Sequence, residues 1–394
     1  MSETMVLVAV SGDDHPGITA SLMQCISNSD ATLLDLGQSI THGVLSLSLL
    51  LKIRMFQADH PLILKLQATT TQMSMQMKFK VVDDIEQISL AGEKYILSCV
   101  ALSGVTAAFL HDISATLAKH NINIQKIDNV SLSGFVSLNI STLAKEEGID
   151  WGKVKTALLS ISNKHATDMA LLKDDIWRRN KRLIIFDMDS TLIVSEVIVE
   201  MAKRFGVGQK VHEITESAMN GEIDFDESLK QRVSLLKGMP ESLLNEILSE
   251  IKLTDGVEKF IQTVKSLGYK TAIISGGFNF FANSFKEKLQ IDYAFANELE
   301  ITNGKLSGKV KGSIVNAEKK AMLLELLAQQ ENINLEQVVA IGDGANDLEM
   351  LSKAGLGIAF HAKDIVKKTA KQHMSHGPMT SILYFLGISE ELES

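Results

Sequence analysis

Leu183–Phe186 is a wholly apolar run of the kind buried on both faces of a parallel sheet. Tyr269–Ile274 and Val338–Ile341 read the same way, and helical stretches lie between the three. Strands alternating with helices imply an α/β domain built on a doubly wound, Rossmann-like parallel sheet. In such a sheet ligands bind beyond the carboxyl ends of the strands, so the residues that follow each run are where chemistry is to be sought.

The first run ends in Asp187-Met188-Asp189-Ser190-Thr191-Leu192. Two carboxylates one residue apart can face one pocket from different heights. A carboxylate that attacks phosphorus needs a metal to shield its charge from the phosphate, and a second carboxyl to protonate the leaving oxygen. The second run ends in Ser275-Gly276-Gly277-Phe278, a small hydroxyl and two glycines that let backbone N–H groups approach an oxyanion. The third ends in Gly342-Asp343-Gly344-Ala345-Asn346-Asp347, whose carboxylates would meet the first pair and complete a hard-oxygen Mg²⁺ site. Lys320, at a predicted helix start (NAEKKAML), offers an ammonium for charge that builds on phosphoryl oxygens. Each piece alone is ordinary: acidic pairs cap turns and helices, Gly-Asp-Gly is a common turn, and a single lysine is usually solvated. Their arrival in order at successive strand ends is what points to phosphoryl transfer.

The segments DMDST, SGG, Lys320 and GDGAND resemble the four motifs of the haloacid dehalogenase superfamily of phosphatases, over about Leu183 to the C-terminus. The resemblance implies that Asp187 is the nucleophile and forms an aspartyl-phosphate. Asp189 would protonate the leaving alkoxide and then activate water. Ser275 and Lys320 would hold the phosphoryl group. Asp343 would ligate Mg²⁺ with the Asp187 carboxylate and the Asp189 backbone carbonyl, and Asp347 would orient the site from behind. Met188 stands where the family commonly has Phe.

About 75 residues separate the first two motif strands, too many for a crossover helix alone, so a helical cap is expected at about 194–266. Its helices are predicted at Glu196–Phe205, Val211–Met219, Asp226–Lys237 and Glu241–Ile251. Such a lid excludes water and favours small substrates. Within it, Glu196 can pair with an ammonium and Arg232 can fork onto a carboxylate; either is also an ordinary surface residue of a helix. The strings DMDSTLIVSEVIVEMA, AMNGEIDFDESLKQRVSLLKG, SGGF and GDGANDLEML resemble the phosphoserine phosphatase family through the lid as well as the motifs. That implies hydrolysis of O-phospho-L-serine to serine and phosphate, the last step of serine biosynthesis. Glu196 would bind the amino group and Arg232 the carboxylate. Met219 and Phe225 would line the lid, and Gly276 and Asn346 would contact the substrate. A phosphatase or phosphotransferase for phosphothreonine or phosphohomoserine stays open, since charge recognition does not count methyl groups. So does a non-catalytic amino-acid sensor, which would be expected to lack one of Asp187, Asp189, Lys320 or Asp343; all four are present.

The N-terminal half reads as strand, helix, strand, strand, helix, strand, twice over. The first pass runs through Met5–Val10, a helix to about Ser27, Thr32–Leu36, Val44–Ile53, Leu62–Thr71 and Met75–Val82. The second runs through Tyr95–Leu102, Ala107–Lys119, Ile122–Val130, Gly134–Ile140, Trp151–Lys164 and a strand opening at Ala170. The two units, 1–88 and 89–172, resemble ACT domains, which are ferredoxin-like α+β modules. The first carries Asp14-His15-Pro16-Gly17-Ile18 at the loop that marks the family; the second has Leu102-Ser103-Gly104-Val105-Thr106 there, without the Pro-Gly pair. The resemblance implies either binding of an amino-acid effector such as serine, or pairing into a homodimer. The charge-rich segment 173–182 (KDDIWRRNKR) is expected to be a linker and the main boundary, as an open break or a solvated helix, before a catalytic domain at 183–394.

The net charge of −9 and the lack of an aromatic-basic stripe disfavour nucleic-acid or anionic-membrane partners. The two cysteines, Cys25 and Cys99, sit in apolar runs with no disulfide or zinc spacing. With no secretory signal pattern and no uncharged spanning stretch, the expected compartment is the cytoplasm.

Overall fold

The computed structural model describes residues 3–82, 92–131, 136–145, 148–219 and 222–388, the side chain of Met219 excepted. The chain divides into two compact units, 1–90 and 91–394.

The first unit is β1 (Glu3–Asp13), α1 (Ile18–Ser27), β2 (Thr32–Thr41), β3 (Val44–Arg54), α2 (Pro61–Gln72) and β4 (Gln76–Val82). Its sheet is antiparallel in the order β2-β3-β1-β4. The alternation in VLSLSLLLKIR drives the packing: Leu45, Leu47, Leu49, Leu51 and Ile53 are buried on one face with Val6, Val8 and Val10 of β1, against Leu22 of α1 and Leu66 of α2. His60 caps α2, its Nδ1 accepting from Leu62 N at 3.3 Å, with Pro61 at the first helical position.

The second unit opens with the same order: β5 (Glu93–Val100), α3 (Ala107–Lys119), β6 (Ile122–Asn129), β7 (Ser137–Ala144), α4 (Trp151–His165) and β8 (Asp168–Lys173). Thr106 and Asp150 cap its helices. Gly134 and Phe135, the expected start of β7, lie outside the described residues. Then come β9 (Leu183–Phe186), α5 (Val197–Phe205), α6 (Gly208–Met219), α7 (Phe225–Ser234), α8 (Ser242–Glu250), α9 (Val257–Ser266) and β10 (Lys270–Phe278). The chain ends through α10 (Asn279–Leu289), β11 (Tyr293–Thr302), β12 (Lys305–Lys311), α11 (Ala317–Gln330), β13 (Val338–Gly342), α12 (Leu348–Lys353), β14 (Leu356–Phe360), α13 (Asp364–Thr369) and β15 (Gln372–Met374).

The seven strands of this second list and the preceding four form one sheet in the order β12-β11-β10-β9-β13-β14-β15-β8-β5-β7-β6. Strands β11 to β15 around β9 are parallel except for the β12 edge; β15 pairs antiparallel with β8 through His373 and Met169. The joint is finished by side chains. Gln372 imitates a strand, donating from Nε2 to Leu171 O (2.7 Å) and accepting at Oε1 from Leu171 N (2.9 Å). The buried carboxylate of Asp168 accepts from the N–H groups of Ser375 (2.6 Å), His376 (3.0 Å) and Gly377 (2.7 Å). Segment 173–182 therefore runs inside the second unit. It forms turns with no helix, and two of its cations are buried: Arg178, and Lys181, whose Nζ donates to Glu336 O at 2.6 Å.

The insert between β9 and β10 is helical as expected. Its neck is the antiparallel bridge between Ile193 and Leu253. Beyond the neck α9 packs on β10 as the crossover helix, because its apolar stripe Val257, Phe260, Ile261 and Val264 belongs to the core under the sheet. The lid helices are thus α5 to α8, and the insert closes short of residue 266. The turn after α7 is tied to the β11–β12 hairpin, which the sequence pattern did not announce, by Gly238 N to Leu306 O (2.8 Å), Leu306 N to Met239 O (2.9 Å) and Glu241 N to Gly304 O (2.9 Å).

Candidate active site

The carboxyl ends of β9, β10 and β13 are neighbours, so the three motif segments meet at one edge. Asp187 follows β9 directly; its N–H donates to Ile341 O of β13 at 2.8 Å. The chain then makes a wide turn, with Ser190 in the left-handed region (φ 55°), closed by Ile193 N to Met188 O at 3.1 Å. This turn swings Asp189 toward the lid, where its Oδ1 accepts from Val197 N, the first residue of α5, at 3.2 Å.

Lys320 enters from the first turn of α11, which Asn316 caps by accepting from Lys319 N at 3.0 Å. The lysine is fully buried. Its Nζ donates to Asp347 Oδ1 at 2.7 Å and stands 2.9 Å from Asp187 Oδ1, an oxygen that accepts no hydrogen bond. Asp347 Oδ2 accepts from Gly344 N at 2.9 Å. Asp343 Oδ1 accepts from Thr191 Oγ1 at 3.3 Å. Ser275 is buried with its Oγ accepting from Gly277 N at 2.9 Å. The glycines there are required by crowding: a Cβ on Gly277 would lie 2.8 Å from Met188 Cε and 2.9 Å from Asp189 Oδ2, and one on Gly276 would lie 2.9 Å from Phe225 Cζ.

These groups surround a cavity of about 630 Å³. Asp187, Asp189, Ser275, Gly276, Asp343 and Asn346 form its floor, and Glu196, Phe225 and Arg232 close it from the lid. Lys320 and Asp347 lie beneath the floor, behind Asp187. Met219 ends α6, and its side chain lies outside the described residues. Arg232 is buried on α7, its Nε donating to Ser228 O at 3.3 Å. Burial opposes its charge, while Glu196 and Asp189 favour it.

The charge in this cavity is one-sided. Asp187, Asp343 and Asp347 each present an oxygen within 4.8 Å of the others. Burial, with Asp347 close by, pushes Asp187 up to about 6 despite Lys320. Burial, then Asp187 and Asp347, push Asp343 up to about 8. Burial, then Asp187 and Glu196, hold Asp189 well above the usual carboxylate range. Lys320 is held charged by Asp187 and Asp347 against the cost of its burial. Three clustered carboxylates with one ammonium leave negative charge that a hard divalent cation fits.

The sequence reading missed several members of this site. Thr191 was inside the first motif but unassigned. Ser228 lines the cavity with a buried hydroxyl that has no hydrogen-bond partner. Lys363, the residue just ahead of α13, and Ile365 within that helix form an outer wall and carry no motif signal. Asn297 and Asn316 hold the walls in place; the one clue to Asn297 was a polar residue inside the strand YAFANELE.

Residues 181–355 match the haloacid dehalogenase-like hydrolase family, and residues 4–80 match the ACT domain family. A phosphoserine phosphatase of Streptomyces coelicolor is 35% identical over 388 residues, covering 98% of this chain and 93% of its own. One from Mycobacterium tuberculosis is 33% identical over 395 residues, covering 100% and 96%. The chain belongs to the phosphoserine phosphatase family. A solved structure described as a phospho-aspartyl intermediate analogue of phosphoserine phosphatase is 46% identical, with a TM-score of 0.50, over 52% of this chain and 99% of its own. The chain is a phosphatase built on a Rossmann-like parallel sheet, preceded by an ACT domain. Among the described residues no helix is long and apolar enough to cross a membrane.

Proposed function

We propose that this chain hydrolyses O-phospho-L-serine to serine and phosphate. The observation that carries the reading is the convergence of Asp187, Asp189 and Ser275, with Lys320 behind Asp187, on a lidded cavity that also holds Arg232 and Glu196. An Arg fork and a carboxylate across one small cavity match the carboxylate and ammonium of an amino acid. Phe225 then bounds the space left for the methylene, and Asn346 and Gly276 meet the phosphate end.

Asp187 attacks phosphorus and the ester P–O bond breaks. The leaving serine oxygen takes the proton that Asp189 carries, which its raised affinity for protons suits. Water then attacks the aspartyl-phosphate, Asp189 accepts its proton, and Asp187 is released with inorganic phosphate. Ser275, the backbone N–H of Gly276 and Lys320 hold the phosphoryl oxygens. Asp187, Asp343 and the Asp189 carbonyl would hold Mg²⁺. Asp347, already bonded to Lys320 and Gly344 N, orients rather than ligates. When bound, Mg²⁺ neutralises charge so that a carboxylate and a phosphate dianion can approach.

We assign residues 89–172 as a second ACT-like module, on its matching element order and strand arrangement. An amino-acid effector, homodimer pairing through the N-terminal unit, and a cytoplasmic site, where the two buried free thiols stay reduced, complete the reading.

The test is phosphate release from phosphoserine with Mg²⁺. Asp187→Asn should abolish turnover and any acid-stable phosphoenzyme; near-normal turnover in this variant would remove the nucleophile assignment.

A further inference from the structure

Strand β10 leaves its regular pairing with β11 between Ile274 and Phe278, where the register shifts. The segment Ser275–Gly277 therefore bulges out of the ladder to face the cavity, and its backbone carbonyls need partners from elsewhere. Asn297 supplies one. It lies on β11, 2% exposed, and its Nδ2 donates to Gly276 O at 2.8 Å. Its Oδ1 accepts from Val315 N at 2.9 Å. Val315 stands just ahead of Asn316, the cap of α11, and Lys320 N donates to Asn316 O at 2.9 Å within the first turn.

One buried amide thus spans the two walls of the phosphoryl site. On one side is the Ser275–Gly277 loop, which lines the cavity; on the other is the helix start that carries the ammonium. Both bonds have fixed polarity, since Gly276 O can only accept and Val315 N can only donate. Asparagine meets both, whereas aspartate, of the same shape, meets one. The chain of bonds continues into the lid: Asn316 Nδ2 donates to Asp226 Oδ1 of α7 at 3.2 Å.

We propose that Asn297 is a positioning residue for phosphoryl transfer, fixing the separation between the Gly276–Gly277 loop and Lys320. It touches neither substrate nor metal and acts through the two main-chain groups it holds. The inference rests on the phosphatase reading above.

The test uses the full chain with Mg²⁺ and two esters, phosphoserine and p-nitrophenyl phosphate, which shares only the phosphoryl group. Asn297→Asp should lower turnover per active site on both esters by the same factor, about 10- to 100-fold, as small misplacements of catalytic groups do. The inhibition constant of orthovanadate should rise with it. A residue that merely supports the fold would lower the melting temperature and the fraction of active enzyme, counted by the phosphoenzyme burst, but leave turnover per site and vanadate affinity alone. Should Asn297→Asp fail to fold, Asn297→Ser, which is smaller and leaves room for water, is read the same way. Turnover and vanadate affinity within twofold of the parent in a folded variant would overturn the inference and leave the phosphatase reading standing. A parent enzyme that releases phosphate from neither ester would overturn the phosphatase reading and the inference with it.

Discussion

Lys320 Nζ and Asp347 Oδ1 are 2.7 Å apart with both side chains shut off from solvent, and the same ammonium stands 2.9 Å from Asp187. Removing the ammonium leaves two carboxylates facing each other in a dry space. Lys320→Ala is therefore expected to destabilise the protein by about 3–5 kcal/mol, the usual cost of stranding one side of a buried pair. Activity should fall at least about 100-fold from the loss of phosphoryl stabilisation. Without the lysine the carboxylates retain protons to higher pH, so the stability deficit should shrink as pH falls. Thermal unfolding from pH 5 to 8 checks this.

The metal should compete with protons. Asp187 and Asp343 are raised to about 6 and about 8 from an ordinary 3.8. A raised carboxylate contributes stability below its unfolded value and loses it as pH rises through the folded value. The metal-free protein should therefore lose stability between about pH 4 and 8, and added Mg²⁺ should restore most at the alkaline end. Melting temperatures with Mg²⁺ and with a chelator, across that range, give the result; a metal-induced shift largest at pH 5 would contradict it.

Gly277 has no room for a methyl group beside Met188 and Asp189. Gly277→Ala should displace the general acid and lower kcat by about 100-fold, as small misplacements of catalytic groups can. Circular dichroism should stay close to that of the parent, because the clash is confined to the cavity floor.

Arg232→Ala should raise KM for phosphoserine about 100-fold, in keeping with loss of a charge-assisted pair. Phosphoethanolamine, which lacks the carboxylate, should lose far less. Equal losses on the two esters would remove the carboxylate role.

The Ser228 hydroxyl is buried against the cavity without a partner, although its helical position would allow a bond to the preceding turn. Ser228→Ala should leave the ligand-free protein as stable or more stable by up to about 1 kcal/mol, as removing an unsatisfied polar group does. Denaturant unfolding measures this.

The strand ends that carry the reaction were legible because a buried parallel strand must be apolar, so the polar residues that interrupt it stand out. Asp187, Ser275 and Asp343 were found that way, and Lys320 by the helix start that precedes it. The lid helices are legible from their period, but the far limit of the cap, expected at about residue 266, is not, because an apolar stripe such as that of α9 looks the same whether it faces a lid or a sheet. The joint between β8 and β15 left no local mark. It depends on Gln372 meeting Leu171 and on Asp168 meeting three N–H groups about two hundred residues away, and such pairings have no periodicity to read. Asn297 was hidden for the opposite reason, as one polar residue whose two partners lie in loops that only the fold brings together.

The pairing of β15 with β8 also decides what shortened versions of this enzyme can do. A chain begun at residue 174 would keep every motif yet present β15 with its outer row of N–H and C=O groups bare. It would also strip Val100, Ala170 and Leu172 from the core they share with the catalytic domain. Bare edges recruit other strands, so such a fragment should self-associate or need a surrogate partner. In this enzyme, then, the module ahead of the phosphatase works as a selvedge, the woven border that keeps a cloth from unravelling.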